Sequence, residues 1–221
     1  MLFRSGNAEQ YAANVAEVRS NARAAVQLIE RDVRMAGSGW GRLPLNVDNN
    51  NTAEVWWALK PGPGGGSCDS IRMIGAWDST TPLTSDMTGS TSTISVQSVA
   101  GFNVNDLAVV TDGSSAHMFQ VTAVDAVTNQ LLHGNTSPYN PVSTAFVWGW
   151  PSGGYAANKA NVYRISAITY RMDSTSYRRP SLIRAELGRT ARGRDVRRAR
   201  VQVWYRPQGA PTRSSASRPT A

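Results

Sequence analysis

One long amphipathic pattern, from residue 8 to residue 36, constrains this chain more than any other feature of its sequence. Apolar side chains recur there at spacings of three and four residues, which places them on one face of an α-helix. This face consists of Tyr11, Val15, Val18, Ala22, Ala25, Ile29 and Val33. The pattern stops at Gly37-Ser38-Gly39, where glycine can adopt the left-handed conformation that ends helices. A helix of about 29 residues is roughly 43 Å long, so we expect it to project at its start and to pack on a domain near its end.

Charged side chains lie mostly off this face, and their spacing predicts how they pair. Glu30 precedes Arg34 by four residues, which is the favourable order for an ion pair on a helix. Arg31 has no such partner, because the residue four positions before it is the neutral Gln27. We therefore expect solvated charges along the helix. Packing against a partner helix in a coiled coil is a second interpretation of the same pattern.

The helical period disappears after residue 39, and short apolar runs bounded by Gly, Pro, Asn or Asp take its place. These runs predict β-strands at Ala53–Leu59, Ser70–Ala76, Thr93–Val99, Leu107–Thr111, Met118–Val124, Tyr163–Arg171 and Ser181–Glu186. Asp112-Gly113 between two of the runs is a hairpin signal. The predicted fold class is therefore α+β, with a helix in residues 1–37, an antiparallel β-rich head with long loops in 38–190, and a last strand with a basic, disordered tail in 191–221.

The net charge of +8 is unevenly distributed along the chain. From Arg178 onward the chain contains twelve arginines and only two acidic residues, Glu186 and Asp195, which gives this part a net charge of +10. Residues 1–177 therefore carry a net charge of −2. The basic character therefore belongs to the last 44 residues, and the body of the protein is nearly neutral. A tail of this kind can bind polyanions, but the charge of the body does not predict specific nucleic-acid binding.

The sequence lacks the usual patterns of catalytic and metal-binding sites. His117 and His133 are the only histidines, and neither belongs to a Ser-His-Asp, His-x-x-x-His or Cys-x-x-Cys arrangement. Cys68, the only cysteine, lies in a Gly-Gly-Gly-Ser-Cys-Asp stretch typical of a loop. The stretches after Asp48 and Asp112 offer oxygen ligands for calcium, but neither matches an EF-hand loop. We therefore expect no catalytic residue, no cofactor and no metal site.

Seven tryptophans suggest where the protein packs and where it meets other subunits. Most are expected in the core or along strand edges, whereas an exposed subset can anchor a neighbouring subunit. Trp148 and Trp150, which flank one glycine ahead of Pro151, are the interface candidates of the head. The interface candidates of the helix are Tyr11, Val15, Val18 and Ala22.

The end of the predicted helix carries a distinctive motif, because residues 21–37 read Asn-Ala-Arg-Ala-Ala-Val-Gln-Leu-Ile-Glu-Arg-Asp-Val-Arg-Met-Ala-Gly. This stretch resembles the signature of PilW-type minor pilins, an Arg-Ala-Ala-Leu-like turn followed by hydrophobic-x-x-Asp-hydrophobic-Arg-x-Ala-Gly. The matched positions include Arg23, Ile29, Asp32, Arg34, Ala36 and Gly37. Residues 102–124 are similar to the family's hairpin that ends in Phe-Gln-Val-Thr, and the resemblance covers roughly residues 10–190.

The resemblance implies a pilin-like fold, in which the long helix packs on the β-rich head, and a structural role without catalysis. A protein of this family takes part in starting type IV pilus assembly, with a position at the fibre tip. Its partners would be other minor pilins, the major pilin and a tip adhesin. The family also implies a leader, a processing site and about 20 apolar residues ahead of Met1, which would hold the protein in the bacterial inner membrane before it enters the extracellular pilus fibre.

Two other functions remain open at this point. The J-type pseudopilins of type II secretion share a looser version of the helix motif, so the chain is also compatible with a secretion role. The segment Arg192–Arg200 carries arginines where the family usually has acidic and apolar residues, and a soluble polyanion-binding protein that uses this tail is the third interpretation. Salt-sensitive binding to any DNA would distinguish it from the other two.

Overall fold

The structure is a computed structural model that describes residues 3–49, 52–62, 70–88, 93–140, 151, 153–173, 181–187 and 197–201. Within these ranges it contains one α-helix, α1 (Phe3–Met35), and twelve β-strands. The strands are β1 (Leu45–Asn49), β2 (Thr52–Trp56), β3 (Leu59–Pro61), β4 (Ser70–Pro82), β5 (Thr93–Ser95), β6 (Leu107–Thr111), β7 (Ala116–Gln120), β8 (Ala123–Asp125), β9 (Gln130–Leu132), β10 (Asn161–Asp173), β11 (Ser181–Leu187) and β12 (Arg197–Val201).

Helix α1 confirms the predicted helix and extends it towards the N-terminus. The helix ends where the glycines were expected to stop it. Gly37 and Gly39 have φ angles of 79° and 97°, in the left-handed region that residues with a Cβ rarely adopt. The chain can therefore leave the helix sharply and turn at once towards the sheet.

The hairpin signal at Asp112-Gly113 is also confirmed, because these residues join β6 to β7. Gly113 has a φ of 85°, and the Asp112 carboxylate accepts hydrogen bonds from the backbone N–H groups of Ser114 (2.8 Å) and Ser115 (2.9 Å). These bonds lower the pKa of Asp112 although its partial burial acts in the opposite direction. Local turn chemistry therefore determines the geometry of this hairpin.

Nine strands form one sheet, whose main path runs β12-β11-β10-β6-β7-β1-β2. Strand β4 pairs with β10 on its other side and carries β3 at its own outer edge. Most pairs are antiparallel, but β1 lies parallel to β7, with Asn46 opposite His117. A separate three-stranded sheet has the order β5-β9-β8.

Strand β6 lies between two apolar clusters, and all five of its residues are buried. Ala108 and Val110 point into one cluster, together with Phe119 and Leu131. Leu107 and Val109, which alternate with them, point into the other. A third and smaller cluster, built on Met73, Ile168 and Tyr170 of β4 and β10, lies under the end of α1.

The predicted fold class is wrong. We expected an α+β, pilin-like fold with a long helix packed on an antiparallel head, whereas the described chain is mostly β and its main sheet is mixed. No described side chain from Glu9 to Ser20 is buried, so α1 does not pack along the sheet. The reason is the composition of this half of α1, which offers mainly alanine and isolated valine and therefore little apolar area to bury.

Candidate functional site

The last third of α1 is attached to the sheet by one buried carboxylate, that of Asp32. This side chain is fully buried. Its Oδ2 accepts hydrogen bonds from the Tyr170 hydroxyl of β10 at 2.7 Å and from Nε of Arg184 of β11 at 3.0 Å. Its Oδ1 accepts from Nη2 of the neighbouring Arg31 at 2.9 Å. The carboxylate thus joins the helix to two strands that lie far away in the sequence, and we call Asp32, Tyr170 and Arg184 the anchor.

The electrostatics of the anchor favour an ionised carboxylate. Burial by itself raises the pKa of Asp32, but the hydrogen bonds from Tyr170, Arg184 and Arg31 outweigh it, and this pKa lies below its ordinary value. Burial and the nearby carboxylate raise the pKa of Tyr170, so its hydroxyl keeps the proton that it donates. Arg184 is also bound by Glu186 at 3.0 Å, which together with Asp32 raises the pKa of Arg184 against the effect of burial.

Apolar contacts surround the anchor and add to its rigidity. Leu28 and Ile29 of α1 pack against the cluster of Met73, Ile168 and Tyr170. Because water is excluded from this layer, the ion pair and hydrogen bonds within it act at a lower dielectric than at the surface. The last turns of α1 therefore have one defined position on the sheet.

The turn after α1 continues the attachment through backbone bonds to β4. The N–H of Gly37 donates to the carbonyl of Ile74 at 2.9 Å, and the Ser38 hydroxyl donates to the carbonyl of Ala76 at 2.6 Å. Gly75 faces the carbonyl of Met35 so closely that a Cβ on it would overlap this oxygen. The glycines on both sides of the contact thus allow the helix end and the strand to approach backbone to backbone.

The candidate interface residues of the helix lie in the part that the anchor does not cover. Tyr11 is 59% exposed, and Val15, Val18 and Ala22 are partly exposed. None of the four contacts the buried clusters of the sheet. They remain available on the helix surface, as an interface role requires.

The candidate interface residues of the head, Trp148 and Trp150, lie outside the described residues. Trp40 and Trp56 are buried in the core, as most tryptophans were expected to be, whereas Trp57 is 53% exposed. The guanidinium carbon of Arg72 lies 4.0 Å from the centroid of the Trp56 ring, a stacking that favours the cation. Burial lowers the pKa of Arg72.

Both histidines are buried, which agrees with their predicted structural role. Nδ1 of His117 lies 2.6 Å from the hydroxyl oxygen of Tyr155, and its Nε2 lies 3.4 Å from the Asn46 side-chain nitrogen. Burial raises the pKa of Tyr155, and the charge of Asp112 adds to this effect. His117 and Tyr155 are buried, and the contact of His117 with the half-buried Asn46 joins β7 to β1.

Metal ligands and membrane-spanning helices are not found among the residues that the structure describes. No three His, Cys, Asp or Glu side chains in those ranges are grouped so that they could hold a metal ion. Within the same ranges, no helix combines the length and the apolar character needed to cross a bilayer.

Tyr170 and Arg184 are the functional residues that the sequence did not reveal. Asp32 was recognised only as part of a motif on the helix, and the expectation of solvated helix charges is wrong for it. That expectation suits Glu30 and Arg34, whose predicted ion pair is confirmed at 2.6 Å on the surface. The position of an acidic residue beside the apolar face of the predicted helix would have been the only available signal.

Comparisons with protein families, with curated proteins and with solved structures find no match to this chain. The candidate function therefore depends on the residues themselves and on the geometry of α1 and its anchor.

Proposed function

We propose that this chain is a non-catalytic structural subunit of a bacterial surface fibre, a PilW-type minor pilin that takes part in initiating type IV pilus assembly at the fibre tip. In this role it is held in the inner membrane before assembly and enters the extracellular fibre afterwards. Its partners are other minor pilins, the major pilin and a tip adhesin, and it binds no specific nucleic acid.

One observation carries the proposal, namely the contrast between the anchored and the unburied parts of α1. The anchor at Asp32 gives the helix one defined position on the sheet. The side chains from Glu9 to Ser20 are not buried, so they are available to neighbouring subunits. A rigidly mounted helix with a free surface is the element that a fibre subunit needs to join other subunits.

The motif that resembles the PilW-type signature lies at this mounting point. Asp32 of the motif forms the anchor, Gly37 forms the left-handed end of the helix, and Ala36 packs on the cluster beneath. Arg34 pairs with Glu30 at the surface. Asp32, Ala36 and Gly37 thus have a physical role in attaching the helix, which supports the proposed family assignment without depending on the overall fold.

The proposal can be tested with a matched pair of double variants in the source organism. Val15→Asp with Val18→Asp introduces charge on the apolar face of α1, whereas Ala13→Asp with Ala16→Asp introduces the same charge on the exposed opposite face. We expect the first variant to lose incorporation into sheared surface fibres and to reduce the number of pili. The second variant should assemble as the wild type does, and circular dichroism should show folded protein in both cases.

The outcome that contradicts the proposal is equal fibre incorporation of the two double variants, or a gene deletion that leaves piliation unchanged. A deletion that blocks secretion of folded proteins while pili remain normal would replace the minor-pilin assignment with that of a J-type pseudopilin. Binding of the protein to DNA with strong salt dependence, and no fibre phenotype, would support the polyanion-binding alternative.

A further inference from the structure

Helix α1 has a second apolar face that the sheet does not use. It consists of Tyr11, Val15, Ala22, Val26 and Val33, and we call these residues the outer stripe. Its members are spaced alternately by four and seven residues, so at about 100° per residue they lie within one narrow sector of the helix. Tyr11 is 59%, Val26 63% and Val33 36% exposed.

The outer stripe points in a different direction from the face that carries the anchor. Ala25, Leu28 and Asp32 face the sheet, and this sector is rotated by roughly 100° from the outer stripe around the helix axis. The apolar pattern of the sequence therefore contains two faces. One packs on the sheet, and the other is exposed at Tyr11, Val26 and Val33 and partly exposed at Val15 and Ala22.

Two arginines border the outer stripe in the part of α1 that the sheet does not cover. Arg19 and Arg23 are one helical turn apart and exposed. No carboxylate among the described residues lies within ion-pair distance of either, whereas Arg31 is paired with Asp32 and other arginines also have acidic partners. Like charges four residues apart on a helix repel each other. An acidic group from another molecule would therefore stabilise Arg19 and Arg23.

We propose that the outer stripe binds an amphipathic α-helix of a neighbouring subunit, and that acidic side chains of this partner helix lie against Arg19 and Arg23. The inference rests on the proposed function, because it names the chemistry of the partner that the exposed part of α1 takes. Apolar residues spaced alternately by four and seven positions form an eleven-residue repeat, which can provide the seam between two helices. The two arginines select a helix with acidic flanks, since opposite charges beside such a seam determine which helices pair.

An anionic membrane surface fits these observations less well than a helix does. Helices that lie on membranes have a strongly basic polar face and bulky apolar residues. The polar side of α1 includes Glu9, Glu17 and Glu30 as well as arginines. Its outer stripe contains one aromatic residue, one alanine and three valines, an area suited to contact with a second helix of similar width.

The test uses the full chain and two designed helical peptides of about three eleven-residue repeats, with leucine at the positions that form the apolar seam. One peptide has glutamate beside the seam and the other has lysine, so that like charges keep each from pairing with itself. We expect the glutamate peptide to bind about tenfold more tightly than the lysine peptide at low salt, as measured by fluorescence anisotropy. The preference should shrink at about 0.5 M salt, because the contacts are exposed.

A charge-swap variant makes the assignment specific to the two arginines. Arg19→Glu with Arg23→Glu should reverse the preference, so that the lysine peptide now binds more tightly. Arg42→Glu with Lys159→Glu changes the net charge by the same amount at exposed positions away from α1, and this control should keep the original preference. Circular dichroism of both variants verifies that the helix is retained.

Equal binding of the two peptides, or no binding of either, would overturn the inference. So would self-association of the chain that blocks peptide binding, because the partner would then be a second copy. Binding to vesicles with anionic lipid that depends equally on Arg19 and Arg23 would assign the surface to a membrane instead. If neither peptide binds while the Val15→Asp, Val18→Asp variant still loses fibre incorporation, the inference of an acidic partner helix is wrong and the proposed function stands.

Discussion

The first and last thirds of α1 differ in how the protein uses them, although one amphipathic pattern runs through both. In the last third, Asp32 is fully buried and its charge is paired with Arg184 across the sheet. In the first third, no described side chain is buried, and Arg19 and Arg23 follow without a carboxylate nearby. Hydrophobic periodicity thus predicts that a helix forms, whereas the placement of one acidic residue decides which part of it is attached.

Attachment of the helix depends on partners that the sheet supplies. Tyr170 and Arg184 come from β10 and β11, which are adjacent strands in the sheet. Both donate a hydrogen bond to Oδ2 of Asp32. Among the described residues, no side chain from Glu9 to Ser20 is buried, so a charge in this part of α1 stays solvated. Three measurements test this difference between the two parts of α1.

The largest expected effect comes from Asp32→Ala, which removes the acceptor of the anchor. We expect a loss of about 3–5 kcal/mol in the free energy of unfolding, because the buried Tyr170 hydroxyl would lose its acceptor and Arg184 would keep only Glu186 as an acidic partner. Urea denaturation monitored by tryptophan fluorescence measures this loss. The matched control is Glu17→Ala in the unburied part of the same helix, which should change the free energy by less than about 0.5 kcal/mol. Similar losses in both variants would mean that the two parts of α1 do not differ in attachment.

A smaller effect is expected at the end of the helix, where Gly37 and Gly41 have similar φ angles of 79° and 74°. A Cβ at Gly37 would lie 2.5 Å from the carbonyl oxygen of Gly41, whereas a Cβ at Gly41 would meet nothing within 4 Å. Gly41→Ala should therefore cost only the left-handed strain, about 1 kcal/mol. Gly37→Ala should cost about 3 kcal/mol, because the backbone must also shift. Thermal unfolding of both variants compares them, and equal losses would show that the helix end is not tightly fitted.

The smallest effect is the acid dependence of the anchor. Since the pKa of Asp32 is lowered in the folded protein, its contribution is fully present above the unfolded value near 3.9. This contribution is lost as the pH falls through the lower folded value. A protonated carboxyl group still accepts hydrogen bonds, so the loss is smaller than on truncation.

The measurement for this prediction is the difference in unfolding free energy between the wild type and Asp32→Asn as a function of pH. The difference should shrink below about pH 3.9. Asp112 and Asp125 also have lowered pKa values. They are present in both proteins, so their contributions cancel in the difference. A difference that does not change with pH would mean that Asp32 is not ionised in the anchor.

Local signals made part of the structure predictable from the sequence. The helix with its glycine stop, the hairpin at Asp112-Gly113 and the strand Leu107–Thr111 were all expected from patterns of a few neighbouring residues. Strand β1 was missed, because Asn46, Asp48 and Asn49 have low strand propensity. It forms through tertiary pairing with β7 on one side and β2 on the other, and no local pattern carries that information.

The candidate site was predictable only in its exposed part. Tyr11 and Val15 could be selected because an apolar stripe on a long helix is visible in the sequence. The anchor could not be derived, because Asp32 is separated by 138 residues from Tyr170 and by 152 from Arg184. The error in fold class has the same origin, since the parallel pairing of β1 with β7 that makes the sheet mixed joins Asn46 to His117, 71 residues apart.

The large sequence separation within the anchor has a consequence for synthesis of the protein. Helix α1 leaves the ribosome before β10 and β11, and Arg184 follows Asp32 by 152 residues, which takes roughly 8 to 30 s at ordinary translation rates. During that interval the carboxylate of Asp32 is hydrated and lacks its partners on these two strands. Closing so long a loop is a late and slow step of folding, so the nascent helix is open to chaperones and other chains before its own sheet can hold it.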